Sequence, residues 1–505
     1  MSDQKIVALT ESRLKGEPLA SLVSAVYAPG LARETEPGAF AAYLWVDLAH
    51  VVMLAETGLL AIEKAKPLLR TLRDLSDNGL ELLPIDPKLG SLLLQIERFI
   101  AAREGADVAG MLQLARSRID QSATVVRVGM RAAILAAIEN IWRFQETLRQ
   151  KAADWSDVIM PGYTHLQHAQ PWVLGHYLLS HHDSLGRDIE RLFNVYGRTN
   201  LNCLGTAAMA GTSWPIDRRR TAELLGCPDL VLNSQDAANF EMDFPAEVAA
   251  ALSILMSGLG RFASELYIWA SWEFGMIELD DRLCGTSSIM PQKKNPYAVE
   301  RVRALAGEAI GWLPIELGIA RTPGTSDCDQ FFATGHHSYY FETVRQSLML
   351  MTDSLETMKI NRERMLHRAG INWSTANDLA DRIVRNTDLN FRAAHHVAAA
   401  LVRRSIERKI LPTGVTSADV DAAAQEALGR SVNLGDDVVR DSLDPVRFVA
   451  TRTSEGGVAP KEVKKLLDRA AAISKEVRAR IDTEQARLVD AQQMLSSAIE
   501  RILGS

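Results

Sequence analysis

Apolar residues recur at spacings of three and four along most of this chain, the period of one face of an amphipathic helix. The pattern predicts helices over residues 48–69, 122–155, 171–196, 244–274, 297–317, 330–358, 375–410 and 461–503. Between them, turn residues gather at 28–39, 76–90 and 412–417. Runs that alternate apolar and polar, as a half-buried strand requires, are nearly absent. Several of these helices reach roughly 25–30 residues, beyond the usual globular length of about 11–12. Long helices that are apolar on more than one face predict a bundle that also buries surface against other copies of the chain. The expected fold is all-α in three parts: an N-terminal helical domain over 1–117, a central long-helix bundle over 118–370 and a C-terminal helical domain over 371–505.

Composition changes this picture little. Hydrophobic residues make up 47% and charged residues 24% of 505, which suits a soluble globular chain with a large core. A net charge of -7 without any basic tract argues against a nucleic-acid partner. The most apolar long stretch, near 246–272, is interrupted by Arg261 and Glu265, so it reads as a buried bundle helix and not as a membrane span. Residues 1–14 lack the apolar core of a signal peptide, and the four cysteines form no paired motif; a cytoplasmic protein is expected. His165, His168, His176, His181 and His182 crowd one region. They read as a helical face without acidic or cysteine co-ligands at a metal-site spacing, so no metal is expected. The glycine fingerprint of dinucleotide sites, the Walker loop and HExxH are all absent from the sequence.

Three polar segments break the helical pattern: RSRIDQ at 116–121, GYTHLQHAQP at 162–171 and GTSSIMPQKKNP at 285–296. The last has a physical logic. Gly285 permits unusual dihedrals, Ser287 and Ser288 supply hydroxyls, Lys293 a cation, Asn295 a donor and an acceptor, and Pro296 suits a helix start. Such a loop can close over an anion and exclude water. The plain alternative is a polar surface turn.

Together the three segments resemble the fumarase/aspartase superfamily, and within it the argininosuccinate lyase branch. The superfamily signature reads G-S-S-x-M-P-x-K-x-N-P, and here the stretch is T-S-S-I-M-P-Q-K-K-N-P with Thr286 in the glycine's place. The resemblance runs from about Asp47 onwards and is weak before it. It implies a mostly helical homotetramer with a twenty-helix core, active sites built from three subunits, and β-elimination that releases fumarate without metal or organic cofactor. Ser288 matches the family's mobile serine base, and His165 the histidine paired with a glutamate, here Glu300. The chemistry suits these residue types. Removing a proton beside a carboxylate makes a dianion that needs donors and a cation set in advance, for which Thr164, Ser287, Lys293 and Asn295 are suitable. Arg118 can clamp a substrate carboxylate, with Gln121 in the same segment, and a His–Glu pair can protonate a leaving nitrogen.

The departures fall on the substrate side. Argininosuccinate lyases read G-R-S-R-N-D-Q where this chain has Ala115 first and Ile119 in place of the asparagine, and their K-K-N-P-D ends here in Tyr297. The tyrosine, glutamine and lysine that grip arginine become Ser326, Phe331 and Thr334, and an Asp-Ile-His becomes Ser91-Leu92-Leu93. An arginine head group would be left poorly paired. The expected substrate is another N-substituted aspartate, of the kind cleaved by the aminopolycarboxylate and ethylenediamine-disuccinate lyases of this branch. Ile119, Tyr297 and Phe331 point to a more apolar leaving amine. Two readings compete: argininosuccinate itself in a repositioned pocket, and a non-catalytic helical scaffold.

Overall fold

A computed structural model of the chain describes residues 17–239, 243–321 and 335–504. Helices dominate it. The central bundle is built from Arg118–Asp154, Leu174–Thr199, Asp243–Trp269, Tyr297–Ala309 and His337–Thr357. These helices wrap one apolar cluster that includes Ile138, Phe144, Leu178, Leu252, Phe262, Val302 and Met351. Fully burying each such side chain contributes about 1.5–3 kcal/mol before the cost of ordering it. Close approach depends on small residues. A Cβ added at Gly260 would lie 2.5 Å from the Ala306 side chain, so the missing side chain lets Asp243–Trp269 and Tyr297–Ala309 touch.

A second cluster joins Pro37–Glu56, Ile62–Asn78 and Leu92–Glu104, and a third lies among residues 379–443. The long final helix Pro460–Gly504 departs from the expected 371–505 grouping. Its Val463, Val477 and Ile481 enter the bundle core, and its Leu495, Ile499 and Ile502 complete the N-terminal cluster. Trp142 Nε1 donates to the Ser474 carbonyl at 3.0 Å, and the Ser474 hydroxyl to Glu146 at 2.9 Å, which fixes that helix along the bundle.

Several expected elements are redrawn. The helix expected over 48–69 is two helices, because Gly58 takes φ +72 and Leu60 N closes back onto the Leu54 carbonyl at 3.0 Å. The region 297–317 divides into Tyr297–Ala309 and Trp312–Ala320, and 375–410 into Ala376–Asn386 and Phe391–Glu407. Residues expected as turn at 28–39 begin with a short helix, Ala28–Glu34, which continues a helical run from Ala20 through a π-turn at Val23–Tyr27 that precedes Pro29. The helix expected from 171 starts at Leu174, since 171–173 belong to a strand. Three helices, Pro37–Glu56, Arg118–Asp154 and Asp243–Trp269, are long and apolar enough to cross a membrane, and over half of each apolar window is buried inside the fold.

Two stability results follow from this packing. Gly260→Val should lower the thermal midpoint, because overpacking a close helix contact costs about 1–3 kcal/mol; Gly197→Ala, with nothing within 4 Å of its added Cβ, should not lower it. Ala115→Gly should raise the midpoint: Ala115 holds φ +64, a conformation that costs a non-glycine residue about 1–2 kcal/mol. Thermal unfolding of the purified variants checks both.

Candidate active site

The GYTHLQHAQP segment folds as an antiparallel hairpin, Ile159–Thr164 against Gln167–Val173. Two prolines and a broken alternation hid it from the periodicity. The register shifts between Pro161 and Tyr163, and Gly162 is required at this bulge: a Cβ there would stand 2.5 Å from the Gln170 carbonyl oxygen. Just behind its tip the hairpin is held by Tyr163, whose ring meets His168 edge-on at 5.3 Å and Phe274 at 5.6 Å. Burial pushes the Tyr163 hydroxyl up and the His168 imidazole down in pKa. Of the five clustered histidines, His165 and His168 are therefore on the hairpin, and only His176, His181 and His182 are on the helix Leu174–Thr199. Among the described residues no group of three His, Cys, Asp or Glu is placed to hold a metal ion.

At the hairpin tip Thr164 pairs with Gln167, leaving His165 and Leu166 as the whole turn. Both have φ +56. A two-residue turn of this kind matches strand twist but favours glycine or asparagine. Two strained, exposed residues at a tip are an observation that asks for a use. His165 thus stands at a hairpin apex and not at a helix start.

The polar loop is also a hairpin. Gly285–Thr286 pairs with Lys294–Asn295, and residues 287–293 span the gap. The Ser287 hydroxyl accepts the Met290 N–H at 3.0 Å and the Ile289 N–H at 3.4 Å. Its acceptor side is therefore spent on shaping the loop. Lys294 is tied to Asp281 at 2.6 Å and Glu278 at 3.0 Å; burial works against its charge, but these two bonds prevail and raise its pKa. Tyr297, expected at the substrate, lies against its own loop: a Cβ added at Gly285 would be 2.1 Å from the Tyr297 ring. Only a glycine leaves room for that ring. Ile289 at the loop crest is 84% exposed.

The RSRIDQ segment opens the longest bundle helix. Ser117 caps it, accepting the Ile119 N–H at 3.3 Å, and Asp120 accepts the Ser117 N–H at 2.8 Å. Arg118 occupies the first helical position and is exposed, so its guanidinium and the positive helix end favour an anion at the same place. Ile119 is half-buried behind it. Gln121 departs from expectation. It is fully buried and donates to Asp47 at 2.7 Å, because Asp47 is itself buried and also pairs with Arg116 at 2.7 Å. Beside this pair, burial pushes the Glu97 carboxyl up to about 7 against the pull of Arg116.

Asp120 went unnoticed in the sequence. Its second oxygen accepts the Gly205 and Ala207 N–H groups at 2.8 and 2.9 Å, joining the helix start to a loop at 202–211 where Ala207 and Met209 hold positive φ. Burial raises its pKa, and the N–H groups of Ser117, Ala207 and Gly205 oppose that. The signal was there as S-x-x-D at 117–120, a capping box.

A division of labour results. Gln121, Ser287, Lys294 and Asp120 are committed to structure. The side chains of Thr164, His165, Ser288, Lys293, Asn295 and Glu300 make no hydrogen bond or ion pair among the described residues. No hydrogen bond joins His165 to Glu300 or Ser288 within one chain. Ser326, Phe331 and Thr334 lie outside the described residues.

Comparison with known proteins identifies the architecture. A family model described as lyase matches residues 48–311, and another described as argininosuccinate lyase C-terminal matches residues 373–450. The argininosuccinate lyase of Methanothermobacter thermautotrophicus is 39% identical over 84% of this chain and 91% of its own length. The solved structure of an EDDS lyase in complex with formate superposes with a TM-score of 0.83 at 32% identity, covering 99% of this chain and 95% of that one. A doubly substituted EDDS lyase variant with bound fumarate superposes equally well, at 33% identity over the same shares. The chain therefore belongs to the fumarase/aspartase superfamily, in its argininosuccinate lyase-like branch, and is a carbon–nitrogen lyase.

Proposed function

We propose that the enzyme catalyses the reversible β-elimination of fumarate from an N-substituted aspartate of the aminopolycarboxylate type, and that argininosuccinate is not its substrate. The observation that carries the reading is the uncommitted set: among the described residues the side chains of Thr164, His165, Ser288, Lys293, Asn295 and Glu300 make no hydrogen bond or ion pair, while Ser287, Lys294 and Gln121 beside them are tied down. Ser288 takes the proton from the carbon beside the carboxylate. Lys293, Asn295 and Thr164 hold the dianion, a contribution that preorganised donors make large in a water-excluded site. Arg118 grips a carboxylate. The carbon–nitrogen bond then breaks with its electron pair moving to nitrogen, and His165, oriented by Glu300, supplies the proton there. No cofactor enters this scheme.

Those groups meet only if several copies of the chain assemble, and a homotetramer is the proposed state. Exposed apolar residues on the bundle support it: Ile254, and near it Ile310 and Leu317 beyond the turn that packs on Ser253. The partition into 1–117, 118–370 and 371–505 is kept as a proposal for the first two parts, with the last helix shared between the bundle and the N-terminal cluster. Cys203, Cys227 and Cys284 are free thiols, which supports a reducing, cytoplasmic setting.

The reading against argininosuccinate rests on Ile119 and Phe331, whose side chains form no hydrogen bond, and on Ser326 and Thr334, whose hydroxyls are shorter than the tyrosine and lysine they replace. The relatives named argininosuccinate lyase favour the opposite reading. Expression in an argininosuccinate lyase-deficient arginine auxotroph decides between them: no growth is expected, and growth would establish argininosuccinate as substrate. In the direction of synthesis, fumarate incubated with a panel of amines should be consumed by one amine class, with a mass gain equal to fumarate plus that amine. Ser288→Ala should slow this by about 10²–10⁴-fold. A full-rate Ser288→Ala enzyme would remove the serine from the role of base.

Tyr297 braces the loop base through Gly285. Tyr297→Ala should speed amide hydrogen exchange across 286–294 and lower kcat more than it changes KM, while Tyr297→Phe should behave as the native enzyme. Equal exchange in all three would show that the ring does not hold the loop.

A further inference from the structure

Residues 270–276 leave the end of the helix Asp243–Trp269, and one guanidinium holds three successive carbonyls of this turn. Arg364 Nε donates to the Phe274 carbonyl at 2.6 Å, and its Nη2 donates to those of Glu273 at 3.0 Å and Trp272 at 3.5 Å. Arg368, one turn further along the helix Arg362–Ile371, adds a bond to the Glu273 carbonyl at 2.6 Å. A lysine could not reproduce this grip, since Nε and Nη2 lie on one edge of a rigid planar fork. Gly275 then turns the chain at φ +56, and a Cβ there would stand 3.0 Å from Arg364 Nε. The turn is thus built close onto this arginine.

The grip reaches the candidate site through one ring. Phe274, whose carbonyl Arg364 holds, packs on Tyr163 at 5.6 Å, and Tyr163 packs edge-on against His168, its partner across the hairpin. Neither the Tyr163 hydroxyl nor His168 Nδ1 has a hydrogen-bond partner among the described residues, so packing and not a polar contact locates both rings. Thr164 and His165 follow Tyr163 directly in the chain. The charge of Arg368 reaches the same two rings: it opposes the burial that raises the Tyr163 pKa and adds to the burial that lowers that of His168. The Ser288 loop is fastened by other groups. Lys294 at its base bonds to Glu278 and Asp281, and Glu278 lies in a short strand paired with Lys359–Ile360.

We propose that Arg364 is a positioning residue for the elimination: by holding 272–274 it sets the place of the Phe274 ring, and through Tyr163 the place of His165. The inference rests on the lyase reading above and adds to its site a residue that touches no reacting atom. It also separates the two proton transfers. Ser288 takes the proton from carbon and leaves the electron pair in the dianion, a step that Arg364 does not govern. The carbon–nitrogen bond then breaks with its pair moving to nitrogen, which takes the proton that His165 delivers. Where that delivery fails, the dianion takes a proton back at carbon, and in D2O it takes a deuteron.

Arg364→Lys keeps the charge and loses the fork, and Arg364→Ala removes both. Amide hydrogen exchange across 163–168 should be about tenfold faster in each variant and unchanged across 286–294. Cleavage is then followed in D2O with ethylenediamine disuccinate, or with the fumarate adduct of the amine that the panel selects. Deuterium gained at the carbon beside the carboxylate of recovered substrate is compared with fumarate released. Arg364→Lys should lower kcat about ten- to hundredfold, change KM by no more than about twofold, and raise the ratio of deuterium gained to fumarate released about tenfold. A merely structural role lowers both quantities together. An unchanged ratio, an absence of deuterium with every enzyme, or equal amide exchange across 163–168 would each overturn the inference and leave the lyase reading standing. Native enzyme that cleaves neither substrate would overturn the lyase reading and the inference with it. If both arginine variants fail to fold, Phe274→Leu cuts the same path at the ring and must give the same two changes; native behaviour in that variant would overturn the inference.

Discussion

The buried carboxylate of Asp120 is the contact on which the placement of the chemistry depends. It accepts three backbone N–H groups, from Ser117, Gly205 and Ala207, and so pins the first turn of a 37-residue helix to a loop more than eighty residues away in sequence. Burying a carboxylate is costly, and charge-assisted bonds to backbone donors offset the cost. Two residues earlier Arg118 takes the exposed first helical position. Behind it the Arg116–Asp47 pair, also wholly buried, is held by Gln121. Breaking such a pair leaves an uncompensated charge at a cost of about 3–5 kcal/mol. The helix start therefore has little freedom, and Arg118 is held at an exposed, fixed position on it.

The two hairpins repeat this logic with different parts. Each has a rigid base and an uncommitted tip. Tyr163, His168 and Phe274 hold the first hairpin just behind its tip, and Lys294 with its two acidic partners and the Tyr297 ring over Gly285 hold the base of the other. The tips carry His165 in a strained turn and Ser288 in an exposed crest. Strain of this size persists only where the surroundings over-determine it. Rigid bases and free tips are what a site requires when its other half arrives on another copy of the chain.

Much of this was legible in the residues, for reasons of local chemistry. GTSSIMPQKKNP and GYTHLQHAQP announce themselves because polar and turn residues have no business inside a bundle unless they are used. Helix existence was legible from the three-and-four spacing, whereas helix ends were not: Gly58 divides a continuous apolar run that periodicity alone joins. The first hairpin was hidden because Pro161, Pro171 and the bulge at Gly162 destroy the alternation by which strands are read. Tertiary partners were least legible. Nothing local tells that Gln121 turns inward to Asp47, that Tyr297 covers Gly285, or that the last helix returns to the bundle and to the N-terminal cluster. Each of these depends on a residue far away in sequence or on the shape of a neighbour.

The central claim is that catalysis needs His165 and Ser288 from different copies of the chain. Mixing two inactive variants tests it most directly. His165→Asn and Ser288→Ala enzymes are unfolded together, refolded as an equal mixture and assayed for fumarate addition to the amine that the native enzyme accepts. If the residues come from separate subunits, some hybrid sites contain both native side chains, and about a quarter of native activity should return. If both residues of a site came from one chain, every site would keep a defect, and activity no higher than that of the parent variants would contradict the claim.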